Sequence, residues 1–372
     1  MNVLLVANYK PDEQQSMLRY ARFLREGLEE RGHRMEVVHP PAVFGRIVPR
    51  NNPLFKWLGY IDKFVLFPPM LRMKARKAEL VHICDHSNSG YLGWVGDKPR
   101  VITAHDLLAV RSGLGQFAQN PTARTGQWFQ RWILSGLSSA SHIISVSGKT
   151  KEDLEALLRS RPEIRVIHHS LNWKYEPMGR SEIEKVRAVC GLDAEDEYIL
   201  HVGGNQWYKN RMGVLRIALE LRKYERFRRV KVVLAGKPWA EEMRAFRREH
   251  SFEDAIEFVT PSNEQIAALY SGALAFLFPS WEEGFGWPIL EAQACGCLVI
   301  TSNRAPMTEV AGAGAILIDP ADVAGATETI AASIGDADTV KKAAQENLKH
   351  FTMDEVINRY SDAYKSVIAQ RR

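Results

Sequence analysis

From one end to the other, the 372-residue chain alternates short, continuous apolar runs with amphipathic helical stretches. Continuous apolar strands differ from the in–out alternation of a strand with one wet face. They belong to strands covered on both sides by helices, which means parallel sheets assembled from βαβ units. The pattern predicts strands at Asn2–Ala7, Met35–Val38, Leu80–Cys84, Val101–His105, His142–Val146 and Arg165–His169. Between the first two, Met17, Ala21, Leu24 and Leu28 share a helical face and Gly32 stops the helix. A polar stretch, Asn172–Arg180 with Pro177 and Gly179, reads as a linker. Strands then restart at Tyr198–Val202, Val230–Ala235, Ile256–Val259, Ala273–Phe278, Leu298–Thr301 and Ala315–Ile318, with a basic helix expected over Arg211–Arg229. The chain therefore divides into 1–172 and 180–352, two Rossmann-like α/β domains expected to face each other across a cleft. A last helix, 353–372, carries Val356, Tyr360, Tyr364 and Val367 on one face and is expected to return to the first domain. In open sheets of this kind, ligands bind beyond the carboxyl ends of the strands.

Composition narrows the function classes. No stretch approaches the roughly 18 apolar residues that span a bilayer. The opening MNVLLVANYK lacks a basic lead and a small-residue cleavage site, so no signal peptide is expected. The four cysteines, Cys84, Cys190, Cys295 and Cys297, sit inside predicted elements. They read as reduced thiols of a cytoplasmic protein, with Cys295 and Cys297 packing beside Gly296 rather than binding metal. The net charge of +5 is localised: Phe44–Ala78 holds eight basic residues and one acid, Asp62, leaving the rest slightly acidic. In that segment Phe55, Trp57, Tyr60, Phe64 and Phe67 interleave with the cations. It fits either a core helix with a solvated face or a surface docked peripherally on the inner face of the cell membrane, where each exposed cation contributes about 1 kcal/mol. No nucleic-acid-binding module accompanies the charge, so no nucleic-acid partner is expected.

The chemistry concentrates in Leu277–Gly296, where a buried strand runs into a loop with Gly284 and Gly286, followed by a helix with Pro288 in its first turn and Gly296 at its exit. Glycine-rich loop and helix N-terminus together suit a diphosphate. Glu283 in the loop and Glu291, expected in the first helical turn, bracket that site. Acids beside a phosphate site make sense when they bind hydroxyls, as a sugar and a ribose would supply.

Glu283-x7-Glu291 with Gly284-Phe285-Gly286 and Pro288 resembles the signature of family-4 retaining glycosyltransferases of the GT-B fold, and the resemblance extends over essentially the whole chain. It implies that Glu283 lies at the transferred sugar and Glu291 binds the nucleotide ribose, with backbone amides of Gly284, Phe285 and Gly286 at sugar and diphosphate. A second patch, His201-Val-Gly-Gly-Asn-Gln-Trp-Tyr-Lys-Asn210, matches the family's glycine-rich turn followed by Lys-Asn, which makes Lys209 the diphosphate clamp. Gly204-Asn205 replaces an Arg that the family often carries, and Arg211 is the candidate to compensate. The base is expected near Gly236, Lys237 and Val259–Thr260. In the first domain His105 resembles the family's cleft histidine, near the bond that breaks, and Asp106 orients it or faces acceptor. His82-x3-Asp85-His86 fits no standard metal-ligand spacing, and Asp85 and His86 read as acceptor contacts. Gln14, Gln15 and Ser16 in the first loop are candidate phosphate or acceptor contacts.

The expected reaction is retaining transfer of a hexosyl unit from a UDP- or GDP-sugar to a glycan or lipid-linked acceptor in envelope polysaccharide or glycolipid synthesis. Resemblance to envelope mannosyltransferases favours GDP-mannose. No metal or cofactor is expected, because Lys209 and a helix dipole are available for the leaving group. Two other readings compete: a nucleotide-sugar 2-epimerase, which shares the two-domain fold but lacks the Glu-x7-Glu arrangement, and a non-catalytic nucleotide-sugar binder or scaffold, against which the intact Glu283, Glu291, Lys209 and His105 argue.

Overall fold

A computed structural model of the protein describes residues 1–371, with the side chain of Gln15 outside the described set. The chain forms two compact units, Met1–Asn172 with Met353–Arg372, and Trp173–Thr352.

The first unit is built on a parallel sheet of β1 (Asn2–Val6), β2 (Arg34–Val38), β3 (Leu80–Ile83), β4 (Arg100–Ala104), β5 (His142–Ser145) and β6 (Glu163–Val166), in the order β2-β1-β3-β4-β5-β6. The apolar runs become strands because helices cover both faces. Phe67, Leu71, Tyr91, Ile133 and Leu137 pack on one side. Tyr20, Leu24 and Leu28 pack on the other, together with Val356, Tyr360, Tyr364 and Val367 of the returning helix Met353–Ala369. Each fully buried side chain of this size contributes about 1.5–3 kcal/mol before ordering entropy is charged against it.

The second unit repeats the plan with β7 (Tyr198–Gly203), β8 (Lys231–Gly236), β9 (Ala255–Val259), β10 (Ala275–Phe278), β11 (Val299–Ser302) and β12 (Ile316–Ile318), ordered β12-β11-β10-β7-β8-β9 and parallel throughout. All twelve expected strands form, with small shifts at their ends. Two shifts matter. β4 stops at Ala104 and releases His105 into a loop. β6 starts earlier than expected, at Glu163, which leaves His169 beyond the strand.

In each sheet the order reverses beside the first strand of the unit: between β1 and β3 in the first, and between β7 and β10 in the second. There the connections leave in opposite directions, and the diverging loops open a crevice at the carboxyl edge.

Other expectations are corrected. The basic helix is shorter, Arg211–Leu221, because the chain turns at Glu225–Phe227 to bury Phe227. The segment 44–78 is broken into a turn at Phe44–Arg46, a helix at Phe55–Ile61, a wide helical turn at Asp62–Leu66 and a helix at Phe67–Ala75. Its one acid, Asp62, is fully buried. It accepts hydrogen bonds from the backbone N–H groups of Val43 (3.2 Å), Phe44 (3.0 Å) and Gly45 (2.9 Å) and from the Tyr9 hydroxyl (2.6 Å). All four cysteines are buried free thiols. Among the described residues no helix is long and apolar enough to cross a membrane.

Candidate functional site

In the second unit, the loops leaving β7 and β10 are fastened together. Asn210 adopts a left-handed backbone (φ 51°) and caps the following helix, its side-chain oxygen accepting from Gly213 N–H at 3.1 Å. Its amide nitrogen donates to the Pro279 carbonyl at 2.9 Å, and Trp281 N–H donates to the Tyr208 carbonyl at 2.7 Å. This double clasp brings Lys209 Nζ to 2.7 Å from Glu283 Oε1, in a pair whose side chains are 14% and 7% exposed. The Ser280 hydroxyl donates to the same carboxylate oxygen at 2.9 Å, and the ammonium lies 4.9 Å above the centre of the Phe278 ring. A cation and an anion thus meet at the carboxyl edge, at the switch in strand order.

Gly286 takes a positive φ of 105° at the mouth of the helix Trp287–Ala294, where most other residues would be strained. The Phe285 ring turns away and packs against Trp287 (6.1 Å) and Phe351 (6.0 Å), so that residue's side chain braces the loop. Glu291 lies in the second helical turn, not the first as expected, which takes it away from the end of the helix dipole. It is buried, and its Oε2 accepts from the Tyr270 hydroxyl at 3.3 Å. Burial, with Glu291 alongside, holds that hydroxyl well above its ordinary pKa.

The turns after β7 and β8 are joined by Arg211, buried at 4% exposure. Its Nη1 donates to the Lys237 carbonyl at 2.9 Å and to the Asn205 side chain, while Asn205 Nδ2 donates to the Pro238 carbonyl at 2.6 Å. Burial lowers the guanidinium pKa to about 10, against the opposing pull of Glu257. Arg211 therefore works from beneath, tying together Asn205 and Lys237, two predicted donor contacts. Gly204 sits in the same turn, and Asn205, Lys237 and Thr260 are exposed at its rim, Thr260 with a positive φ of 51°. His201, which opens the second sequence patch but carries no expected role, lies under this floor, its Nδ1 2.9 Å from the Leu277 carbonyl; burial pushes its pKa down to about 3.

In the first unit a polar cluster gathers where β1 and β3 end. Asn8 Nδ2 donates to Asp85 Oδ2 at 2.5 Å and also to Gln14, and Asn88 Nδ2 donates to Asn8 Oδ1 at 3.2 Å. Asp85 Oδ1 accepts from Ser87 N–H at 2.9 Å and lies 3.3 Å from His86 Nδ1. Burial acts to raise the Asp85 pKa, but His86, His105 and these hydrogen bonds together hold it below the ordinary carboxylate range. Asn8, not among the expected site residues, is the hub of the cluster.

His105 has both ring nitrogens engaged: Nε2 lies 2.8 Å from the Cys84 carbonyl and Nδ1 3.2 Å from His169 Nε2. A carbonyl only accepts, so Nε2 carries the proton and Nδ1 accepts from His169. Burial lowers the His105 pKa, outweighing the raising effects of Asp85 and the Cys84 carbonyl. Asp106 Oδ1 accepts from Leu108 N–H at 2.9 Å, starting a short helix. Gln15 opens the helix Gln15–Glu29, and its side chain lies outside the described residues. His82 departs from the expected cluster with Asp85 and His86. It is wholly buried, with Tyr364 Oη at 2.6 Å from Nδ1 and Thr103 Oγ1 at 2.7 Å from Nε2, and it anchors the returning helix. Among the described residues no group of three or more His, Cys, Asp and Glu side chains converges as a metal site.

Two doubly wound units, each with polar groups collected at its strand-order switch, define a protein of the nucleotide-binding α/β class. Residues 182–350 match the family described as glycosyl transferases group 1, and residues 17–172 match glycosyltransferase family 4. The chain belongs to these group 1/family 4 glycosyltransferases of the GT-B fold. It is similar to O-antigen chain mannosyltransferase B of Escherichia coli, 28% identical over 64% of this chain and 64% of that protein. It is also similar to D-inositol 3-phosphate glycosyltransferase of Mycolicibacterium smegmatis, 27% identical over 74% of this chain and 65% of the other. The chain thus spans a little under two thirds of these relatives' length. In fold it resembles sucrose-phosphate synthase from Thermosynechococcus elongatus, with a TM-score of 0.74 at 18% identity over all of both chains. The Anabaena protein HepE, in complex with UDP and glucose, gives a TM-score of 0.73 at 16% identity, covering 98% of this chain and 100% of that one.

Proposed function

We propose that the protein transfers a hexosyl unit from a nucleoside diphosphate sugar to a glycan or lipid-linked acceptor, with retention at the anomeric carbon and without a metal ion. The observation that carries this reading is the Lys209–Glu283 pair held at 2.7 Å between the loops leaving β7 and β10. When the donor arrives, its diphosphate takes Lys209, and Glu283 turns to the sugar hydroxyls. The bond from the anomeric carbon to the phosphate oxygen breaks while Lys209 and the N-terminus of Trp287–Ala294 offset the charge left on phosphate. The acceptor oxygen forms its bond on the same face and passes its proton to the departing phosphate.

Glu291 is assigned to the ribose. Gly204, Asn205, Lys237 and Thr260 are assigned to diphosphate and base, and the backbone of Gly284, Phe285 and Gly286 to sugar and diphosphate. In the first unit His105 is assigned to the donor sugar, and Asp85, His86, Asp106 and Gln15 to the acceptor. The E. coli relative, named an O-antigen chain mannosyltransferase, supports GDP-mannose and envelope polysaccharide, whereas HepE's complex with UDP supports a uracil donor. The exposed cations of 44–78 support peripheral contact with an anionic membrane on its cytoplasmic face.

A thermal-shift panel of UDP, GDP, ADP and their sugar conjugates, with and without magnesium, tests this. A ligand at 100 times its Kd adds about 2.7 kcal/mol. One nucleotide is expected to shift the wild type without magnesium and to leave Lys209→Ala unmoved. A shift only with magnesium overturns the metal-free site. Tight binding without turnover favours a scaffold, and a free epimer appearing without acceptor favours an epimerase.

A further inference from the structure

The helix Phe55–Ile61, the wide turn after it, the segment His86–Trp94 and the helix Arg124–Ser138 enclose a cavity of about 760 Å³ that neither the donor nor the acceptor cluster uses. Its volume is that of a small-molecule site. Tyr60, Phe64, Phe129 and Trp132 form the inner wall: Phe129 stacks on Trp132 at 5.6 Å and on Tyr60 at 6.0 Å, and Phe64 meets Trp132 edge-on at 5.3 Å. At the mouth, Trp57 and Trp128 are 65% and 68% exposed. An unliganded soluble surface rarely leaves two tryptophans and an aromatic pit open to water side by side.

The lining offers few polar groups. Lys56 stands at the rim, 5.8 Å from the Tyr60 ring centre, and the Tyr91 hydroxyl is spent on the Lys63 carbonyl at 3.1 Å. A sugar ring could stack on these aromatics, but its rim of hydroxyls would find few partners here, whereas a hydrocarbon chain needs none. The surroundings select the head group. Arg46, Lys56, Arg72, Arg76 and Lys77 are exposed and make no ion pair among the described residues, and the one acid of the segment is buried under its own turn. Val43, Ile47, Leu54, Val65 and Met73 are exposed among them. Exposed apolar side chains and uncompensated cations interleaved along one segment suit an anionic lipid surface.

We propose that this cavity takes the hydrocarbon tail of an anionic membrane lipid, with the lipid's phosphate at Lys56. The proposal deepens the membrane-contact reading of 44–78 and rests on it for the source of the ligand; it does not depend on the sugar-transfer reading.

The test is calorimetric titration of the full chain with monomeric dodecyl phosphate, with inorganic phosphate and maltohexaose as controls, alongside flotation with phosphatidylglycerol vesicles. Gly126 lines the cavity, and a Cβ there meets only the Thr122 methyl, at 2.7 Å on a rotatable side chain, so Gly126→Leu fills the pocket without emptying the core. Dodecyl phosphate is expected to bind at one site per chain, inorganic phosphate not at all, and Gly126→Leu to weaken the affinity at least tenfold with Tm unchanged. Should that variant fold poorly, the exposed pair Trp57→Ala/Trp128→Ala serves in its place. Vesicle binding that Gly126→Leu retains in full, with no uptake of monomeric dodecyl phosphate, overturns the pocket and leaves the membrane contact standing. Failure to bind either probe overturns both. Saturable binding of maltohexaose instead makes the cavity a glycan platform and also overturns the proposal.

Discussion

Replacing Lys209 by Met tests whether the cation at the β7–β10 switch holds a buried anion in place before any ligand arrives. At 2.7 Å, two unit charges attract by about 6 kcal/mol at an effective dielectric of 20, before desolvation is subtracted. Breaking a buried pair by removing one partner costs about 3–5 kcal/mol, because the other charge is stranded. Glu283 keeps the Ser280 hydrogen bond, worth about 1 kcal/mol, so the lower end, about 3 kcal/mol, is expected. For a unit of this size that lowers Tm by about 6–12 °C. Glu283→Gln strands no anion and loses less, and the double variant recovers about 1.5–3 kcal/mol relative to the sum of the singles. Chemical unfolding of all four proteins, without nucleotide, measures the cycle. Nucleotide titration then separates the roles: Glu283→Gln frees Lys209 and is expected to bind the nucleoside diphosphate at least as tightly as wild type while transfer falls by 100-fold or more. A coupling energy within 0.5 kcal/mol of zero would falsify the idea that these side chains meet in the free protein.

Three other outcomes are expected. Burial holds His82 and His201 near a pKa of 3, against an ordinary 6.5. The unfolded chain therefore takes up protons that the folded one refuses, and stability falls as the pH drops from about 6.5 toward 3. Each histidine loses about 2 kcal/mol by pH 5, so a urea midpoint at pH 5 equal to that at pH 7.5 contradicts their burial as neutral rings. In Gly236→Ala, the added Cβ would lie 2.2 Å from the Gly203 carbonyl oxygen at a φ of +133°, so it is expected to force the β7 and β8 turns apart, cost 2 kcal/mol or more and weaken nucleotide binding; wild-type stability and affinity would count against that close approach. Glu291→Gln is expected to weaken nucleotide affinity about tenfold and to weaken a 2′-deoxyribose analogue far less; equal losses for both ligands would remove Glu291 from the ribose.

The fold was legible because the residues that form it announce themselves locally. Leu4, Val81, Ile102 and Ile144 lie in short apolar runs that only a strand buried on both faces accommodates. The returning helix was equally plain, since Tyr360 and Tyr364 on one stripe require an apolar partner and find it beside Tyr20. Pairings across long separations were not legible. Nothing near Lys209 in the chain points to Glu283, and nothing near Asn8 points to Asp85; parallel crossovers bring them together. For the same reason His82 looked like a site residue from its neighbours in sequence, although the returning helix encloses it. Arg211, the candidate to compensate for the missing arginine, is buried and braces Asn205 and Lys237, a role its neighbours in sequence do not show. A basic segment shows its charge in sequence, but only the fold shows that its one acid, Asp62, faces inward and its one tryptophan, Trp57, outward.

The most direct test of the account follows the slow breakdown of the preferred sugar nucleotide by proton NMR, with wild type and Lys209→Ala, in the presence of a chelator. Sugar transfer to water through the proposed site predicts that the nucleoside diphosphate and the sugar appear together, the sugar first in the donor's own anomeric configuration, and that Lys209→Ala abolishes both. Release of the opposite anomer first, accumulation of a 2-epimer, or undiminished turnover by Lys209→Ala would contradict it.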